Sequence, residues 1–257
     1  MKKLKHSAVF IFAFIIISNV GIAAAQDHSI LSKFYQANFA YKEKDYQRAV
    51  ESYEEILSQG FESPSLYYNL ANSYFKLKDL GKTVLNYERA RCFIPRDGDL
   101  RSNYQYALSL VQGRVVQIKR TLAARIWKNV CEDFTTSEMT LFLFFLYVVA
   151  GLLWALGVLF KINQKILISV TVVIFITFFI GISLLTQKIF IESKTSIILK
   201  EASAKFEPRE DATTHYTLYP GAKVFVVKKD SDWLKVRRQD GKMGWITLGS
   251  LEYIQPK

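Results

Sequence analysis

Apolar residues change their spacing several times along the chain, and each spacing predicts a different kind of element. Behind the basic head MKKLK, an apolar run AVFIFAFIII starts at Ala8. From residue 31 to residue 111 the apolar positions fall three and four apart, the period of one helical face. One such face carries Tyr46, Ala49, Val50, Tyr53, Ile56 and Leu57, and later ones carry Leu66, Leu70, Ala71 and Tyr74, then Val84, Tyr87 and Ala90. Pro95 stops the pattern, and DLRSNYQYALSLV (99–111) reads as a capping helix. In VQIKRTLAARIWKNVCEDF (116–134), Ile118, Leu122, Ile126 and Val130 lie four apart, with Trp127 and Phe134 nearby and Lys119, Arg120, Arg125 and Lys128 off the stripe. Two uncharged runs follow, 139–160 and 166–186. From Ser193 onward, short runs rich in Val, Ile, Thr and aromatic residues alternate with turn residues, which predicts a small all-β domain.

The helical part repeats itself. Ala37-Asn38 recurs as Ala71-Asn72, Lys42 as Lys76, Asp45 as Asp79 and Tyr53 as Tyr87, each at an offset of 34. With Ala90 and the closing Pro95, these residues resemble a pair of tetratricopeptide repeats, although Thr83 and Phe61 depart from the pattern. The resemblance implies a binding scaffold whose groove is lined by the first helix of each repeat. That face would carry Phe34, Asn38, Tyr41 and Lys42, then Tyr68, Asn72, Phe75 and Lys76. Asn38 and Asn72 are expected to pair with a peptide backbone and the lysines with a carboxylate.

The uncharged runs each span a bilayer at 1.5 Å per residue. Only KINQK (161–165) separates them, so they form a helical hairpin, and the two lysines favour the cytoplasmic side. The N-terminus has the three-part pattern of a signal peptide, with cleavage expected after Ala25; an uncleaved anchor is the alternative. The start lies outside, the chain crosses twice, and both soluble parts face the periplasm or exterior of an inner (cytoplasmic) membrane. Neither run holds an Asp, Glu, Lys, Arg or His, which argues against an ion or proton path. The stretch 116–134 fits a helix lying in the bilayer interface and fits equally a last helix packed on the repeats. Thr135 and Glu138 form a capping box ahead of the first run.

In the tail, DWLKVRRQDGKMGWIT (232–247) admits two hairpin registers. A two-residue Asp240-Gly241 turn scatters the apolar residues over both faces. A three-residue loop with Gly241 in the left-handed region pairs Leu234 with Ile246 and Val236 with Gly244 on one apolar face. Trp233, Lys235, Arg237, Met243 and Trp245 then share the other. The second register is expected, and Trp233, Lys235, Arg237 and Trp245 are the candidate surface of this domain. Gly221, Val224–Val227, Trp233–Val236, Asp240-Gly241 and Gly244–Ile246 resemble the bacterial SH3-like domain, which implies a partly open β-barrel that binds peptidoglycan or protein peptides.

Composition narrows the function. The net charge of +11 is spread along the chain, with +4 in residues 187–257, and no segment has the dense basic stripe of a nucleic-acid binder. Histidine occurs only at 6, 28 and 215, and no GxSxG, HExxH or P-loop pattern occurs. Cys92 and Cys131 have no metal-ligand spacing. No enzyme, cofactor or metal is expected.

The predicted organisation is a multi-domain membrane protein: a signal peptide (1–25), an all-α tetratricopeptide repeat array with capping helix (29–112), an amphipathic juxtamembrane helix (113–138), transmembrane helices at 139–160 and 166–186 around a cytoplasmic loop (161–165), and a small all-β SH3-like barrel (187–257). That order resembles the E component of the Bat (Bacteroides aerotolerance) proteins over essentially the whole chain. The resemblance implies a non-enzymatic, membrane-anchored protein-interaction scaffold of the cell envelope, working beside other Bat-type membrane proteins. A peptidoglycan-binding module is the alternative. A sensor is a weaker reading, because a five-residue loop leaves almost no cytoplasmic surface.

Overall fold

A computed structural model describes residues 29–113, 121–161 and 163–255. The expected signal peptide lies outside them. The chain divides into two compact units, one ending at Lys78 and the other beginning at Asp79.

The first unit holds helix α1 (29–42), α2 (Tyr46–Ser58) and α3 (Pro64–Lys76). Its core joins Ala37, Ala40, Ala49, Val50, Tyr53, Ile56, Leu66, Leu70 and Tyr74. The fully buried Ala37 is the kind of small residue that lets two helix axes approach closely. Asp45 caps α2 by accepting from the Arg48 amide, and Ser63 caps α3 by accepting from Leu66, so each satisfies one orphan donor at its helix start.

The second unit opens with α4 (Leu80–Phe93), capped by Asp79 accepting from Lys82. The 34-residue offset extends to the backbone. Lys44 and Lys78, each just before a capping aspartate, have φ of 65° and 64°. Next come α5 (Gly98–Ser109), α6 (Leu122–Asp133), α7 (Thr136–Leu159) and α8 (Gln164–Lys194). The Thr135–Glu138 capping box is formed at the start of α7.

Helices α7 and α8 are both long and apolar enough to cross a membrane and are almost wholly unburied. They pack as a hairpin in which Gly157 lies under Leu167 and Gly181 under Leu143. Small residues of this kind let apolar helices approach closely. Helix α8 does not stop where the apolar run stops at Thr186. It continues to Lys194 and passes into β1 at Thr195, so the all-β region starts later than residue 187. Backbone hydrogen bonding propagates along a helix regardless of whether its side chains are apolar.

The tail is a seven-stranded antiparallel sheet, ordered β3-β2-β6-β5-β4-β1-β7. Its strands are β1 (Thr195–Ile198), β2 (Ala202–Lys205), β3 (Thr214–Leu218), β4 (Lys223–Asp230), β5 (Trp233–Arg238), β6 (Met243–Thr247) and β7 (Leu251–Tyr253). The core is built from Ile198, Ala204, Leu218, Val224, Val226, Leu234, Val236 and Ile246. In the β5–β6 hairpin Leu234 faces Ile246 and Val236 faces Gly244. The Arg238 amide donates to Lys242 O at 2.9 Å, and Gly241 has φ 89°. This is the three-residue loop expected from the apolar pattern. Gly244 is required by a close approach: a Cβ there would lie 2.8 Å from the Cβ of Ala204 in β2.

Candidate functional site

Helix α4 docks on the sheet and creates the most elaborate polar site among the described residues. Its burial extends around most of its circumference, including Thr83, Asn86 and Glu88, because α5 and β1 both pack on it. At Gly81 a Cβ would stand 2.8 Å from the Cα of Leu199, so the absent side chain sets the approach distance. Arg89 clamps the end of the sheet: its Nη2 meets Glu252 Oε1 at 2.6 Å and its Nε donates to Ile254 O at 3.0 Å. Gly221, in the turn before β4 with φ 85°, leaves room for Val84 and Val111.

Glu88 sits at the centre of this contact, 5% exposed. Its carboxylate accepts from Lys223 Nζ of β4 at 2.7 Å, from Arg91 Nη1 at 3.3 Å and from the Tyr104 hydroxyl of α5. Burial alone would raise the Glu88 carboxyl; the charges of Lys223 and Arg91 and the hydrogen bonds outweigh it and hold the pKa at about 2. Burial, then the neighbouring Glu88 charge, push the Tyr104 phenol well above its ordinary value.

Beside this cluster lies a cleft of about 570 Å³ between α4, α6, α8 and strands β4 and β5. Lys188, a flanking cation in the sequence, is buried here: it bonds Cys131 O and pairs with Glu192 at 2.9 Å. Cys92 and Cys131 both line the cleft as free thiols. Burial pushes them up, to about 12 and about 11, so neither is an activated nucleophile.

The expected sheet surface is present as one face, and it is partly covered. Trp233, Lys235, Arg237, Met243 and Trp245 alternate with the core residues on β5 and β6. Trp245, however, is only 8% exposed. The ammonium groups of Lys235 and Lys228 stand 5.7 and 5.8 Å from its ring centroid, and lysine stems cover apolar surface well. A bulge in β4 between Val226 and Lys228 turns Lys228 toward this face. Trp233 is half-buried, with Lys205 Nζ 5.5 Å from its ring centroid. Arg237 is exposed and rests on Phe225 at 4.9 Å. Each tryptophan of the pair therefore has its own lysine cover. His215 stacks on Phe206 at 4.3 Å between ring centroids, with its Nδ1 3.3 Å from Met243 O.

In the first unit the candidate groove residues Phe34, Tyr41, Tyr68, Asn72 and Phe75 are half-buried, and Lys42 and Lys76 are exposed. Asn38 differs from its expected role. Its Oδ1 already accepts from the Tyr53 hydroxyl at 2.6 Å and from Asn69 Nδ2 at 2.8 Å, tying three helices together. An oxygen so engaged has little capacity left for a peptide amide. The second-unit cluster of Glu88, Arg91, Tyr104 and Lys223 was not among the expected site residues: Glu88 and Arg91 share an ordinary i, i+3 helical spacing, and nothing in the sequence joins them to Tyr104 or to the distant Lys223.

Residues 201–252 match the bacterial SH3 domain family. The SH3-like sheet thus begins before the matched segment, since β1 precedes it and completes the order between β4 and β7. No curated protein matches the chain.

Proposed function

We propose that this protein is a non-enzymatic, membrane-anchored interaction scaffold of the cell envelope, in which the helical repeats and the SH3-like domain hold partner proteins close to the bilayer. The carrying observation is the direct passage from α8 into β1, with the sheet clamped by Arg89 and Glu88 of α4. A module without a linker has no reach beyond its anchor. The match to the bacterial SH3 domain supports an interaction module outside the cytoplasm. The 34-residue offset, repeated in the capping aspartates and the left-handed lysines, supports the tetratricopeptide reading. Helices α7 and α8 supply the anchor. The order of parts resembles the Bat E component, and the partners proposed are other Bat-type membrane proteins.

A wall-binding role is the second reading, favoured by the same family match and by the half-buried Trp233. Two assays on the full chain in mild detergent separate them. Co-purification from membranes followed by mass spectrometry is expected to recover membrane-protein partners, and the chain is expected to stay in the supernatant with purified peptidoglycan. Sedimentation with peptidoglycan that is lost in Trp233→Ala, with no partner recovered, overturns the scaffold reading.

A further inference from the structure

We propose that the cleft between α6, α8 and the sheet binds the anionic headgroup of a membrane phospholipid. The proposal rests on the membrane reading above and adds a ligand class to it. Three independent features meet at the cleft.

The first is depth. Lys188, Ile191 and Glu192 of α8 line the cleft and follow Thr186, the end of the apolar run, within six residues. At about 1.5 Å per residue that is roughly 9 Å, and the headgroup layer is roughly 5–7 Å deep on each side of the hydrocarbon. Lys188, two residues and roughly 3 Å past Thr186, therefore lies at headgroup depth, and Ile191 and Glu192 stand at the outer edge of that layer.

The second is the neighbouring helix. Leu122 and Ile126 on α6 are 70% and 57% exposed, and Phe134 is exposed as well. Leu122 and Ile126 are left largely uncovered by protein, and of the two expected roles for this segment the interfacial one accounts for them. Trp127 and Cys131, on the same helix, line the cleft. Acyl chains lying along the stripe would place a headgroup at the cleft mouth.

The third is chemistry. The cleft has an apolar wall in Trp127, Ile191 and Phe225, with Phe190 of α8 packed 6.1 Å from Phe225 between ring centroids. Its cations are mostly committed: Lys223 and Arg91 to Glu88, Lys188 to Glu192, Arg238 to Asp240. Glu132 is the third carboxylate on the wall. Arg237 is exposed over Phe225, and among the described residues no carboxylate pairs with it. A planar guanidinium beside an apolar wall fits a phosphodiester attached to hydrocarbon.

The test uses the full chain in non-ionic detergent, with lipid adducts counted by native mass spectrometry. Phosphatidylglycerol is expected to be retained in preference to phosphatidylcholine, and inorganic phosphate at millimolar concentration is not expected to displace it. Arg237→Gln is expected to weaken phosphatidylglycerol retention about tenfold, the loss of one charge-assisted phosphate contact. Arg209→Gln, an exposed cation outside the cleft, is expected to leave retention unchanged. Trp127→Ala, on the opposite wall, is expected to lower retention and serves as the test if Arg237→Gln does not fold. Equal retention of both lipids, displacement by phosphate, or unchanged retention in Arg237→Gln and Trp127→Ala overturns the lipid site. Alkaline carbonate extraction separates the two levels: release of the chain from membranes overturns the anchor reading itself, whereas a retained chain without lipid preference overturns only the lipid site.

Discussion

Glu88→Gln probes the contact that joins α4 to the sheet. The substitution keeps the shape of the side chain and removes its charge. It leaves Lys223 and Arg91 facing each other without a counter-charge and deprives the Tyr104 hydroxyl of its charged acceptor. The magnitude follows from the carboxyl itself. Its pKa falls from the ordinary 4.5 to about 2 on folding, which at about 1.4 kcal/mol per unit corresponds to about 3 kcal/mol. Because the folded-state pKa is the lower one, this stabilisation is fully present above about pH 4.5 and is lost as pH falls toward 2. Several parts of one chain need not unfold together, so a local measurement is required. Amide hydrogen exchange in α4 and β4 of the full chain at neutral pH is expected to be about a hundredfold faster in the variant, the same energy expressed as a ratio. After correction for intrinsic exchange, the wild type loses protection between pH 4.5 and 2, and the variant shows a flatter response. A change of less than about threefold at neutral pH, or identical acid responses, would refute the assignment of Glu88 as the keystone of the docked arrangement.

Two further substitutions test the frame around this contact. Gly81→Ala should gain about 1 kcal/mol of helix propensity in an isolated α4, but its Cβ would press on the Leu199 backbone. The net effect expected is destabilisation by about 1–2 kcal/mol, read as faster exchange in α4 and β1; a stabilised variant would mean that the helix is not held against the sheet. Asn38→Ala is expected to lower the melting temperature of the first unit, because the buried Tyr53 hydroxyl and the Asn69 amide lose their shared acceptor at a cost of about 1–3 kcal/mol. An unchanged melting curve, with a partner lost in pull-down, would return Asn38 to a ligand-binding role.

Local periodicity determined what kind of element each stretch becomes. The 34-residue offset placed the helices, the length and lack of charge of the two runs placed the apolar hairpin, and the period-2 pattern with Gly241 chose the register of β5 and β6. These are short-range properties: one face must be buried, and only certain residues tolerate a positive φ. What covers each element was decided by tertiary structure. Apart from Arg91 three residues on, Glu88 carries no local mark that distinguishes it from Glu54 and Glu55, yet it is buried because the sheet arrives from over a hundred residues away. Lys188 reads as a flanking cation and becomes a buried link between α8 and α6. Trp233 and Trp245 lie on one face as the register required, but Trp245 is closed off by Lys228, which the β4 bulge turns toward it. Alternation along a strand can assign a side chain to a face; only the packing of distant segments decides whether that face meets solvent, lipid or protein.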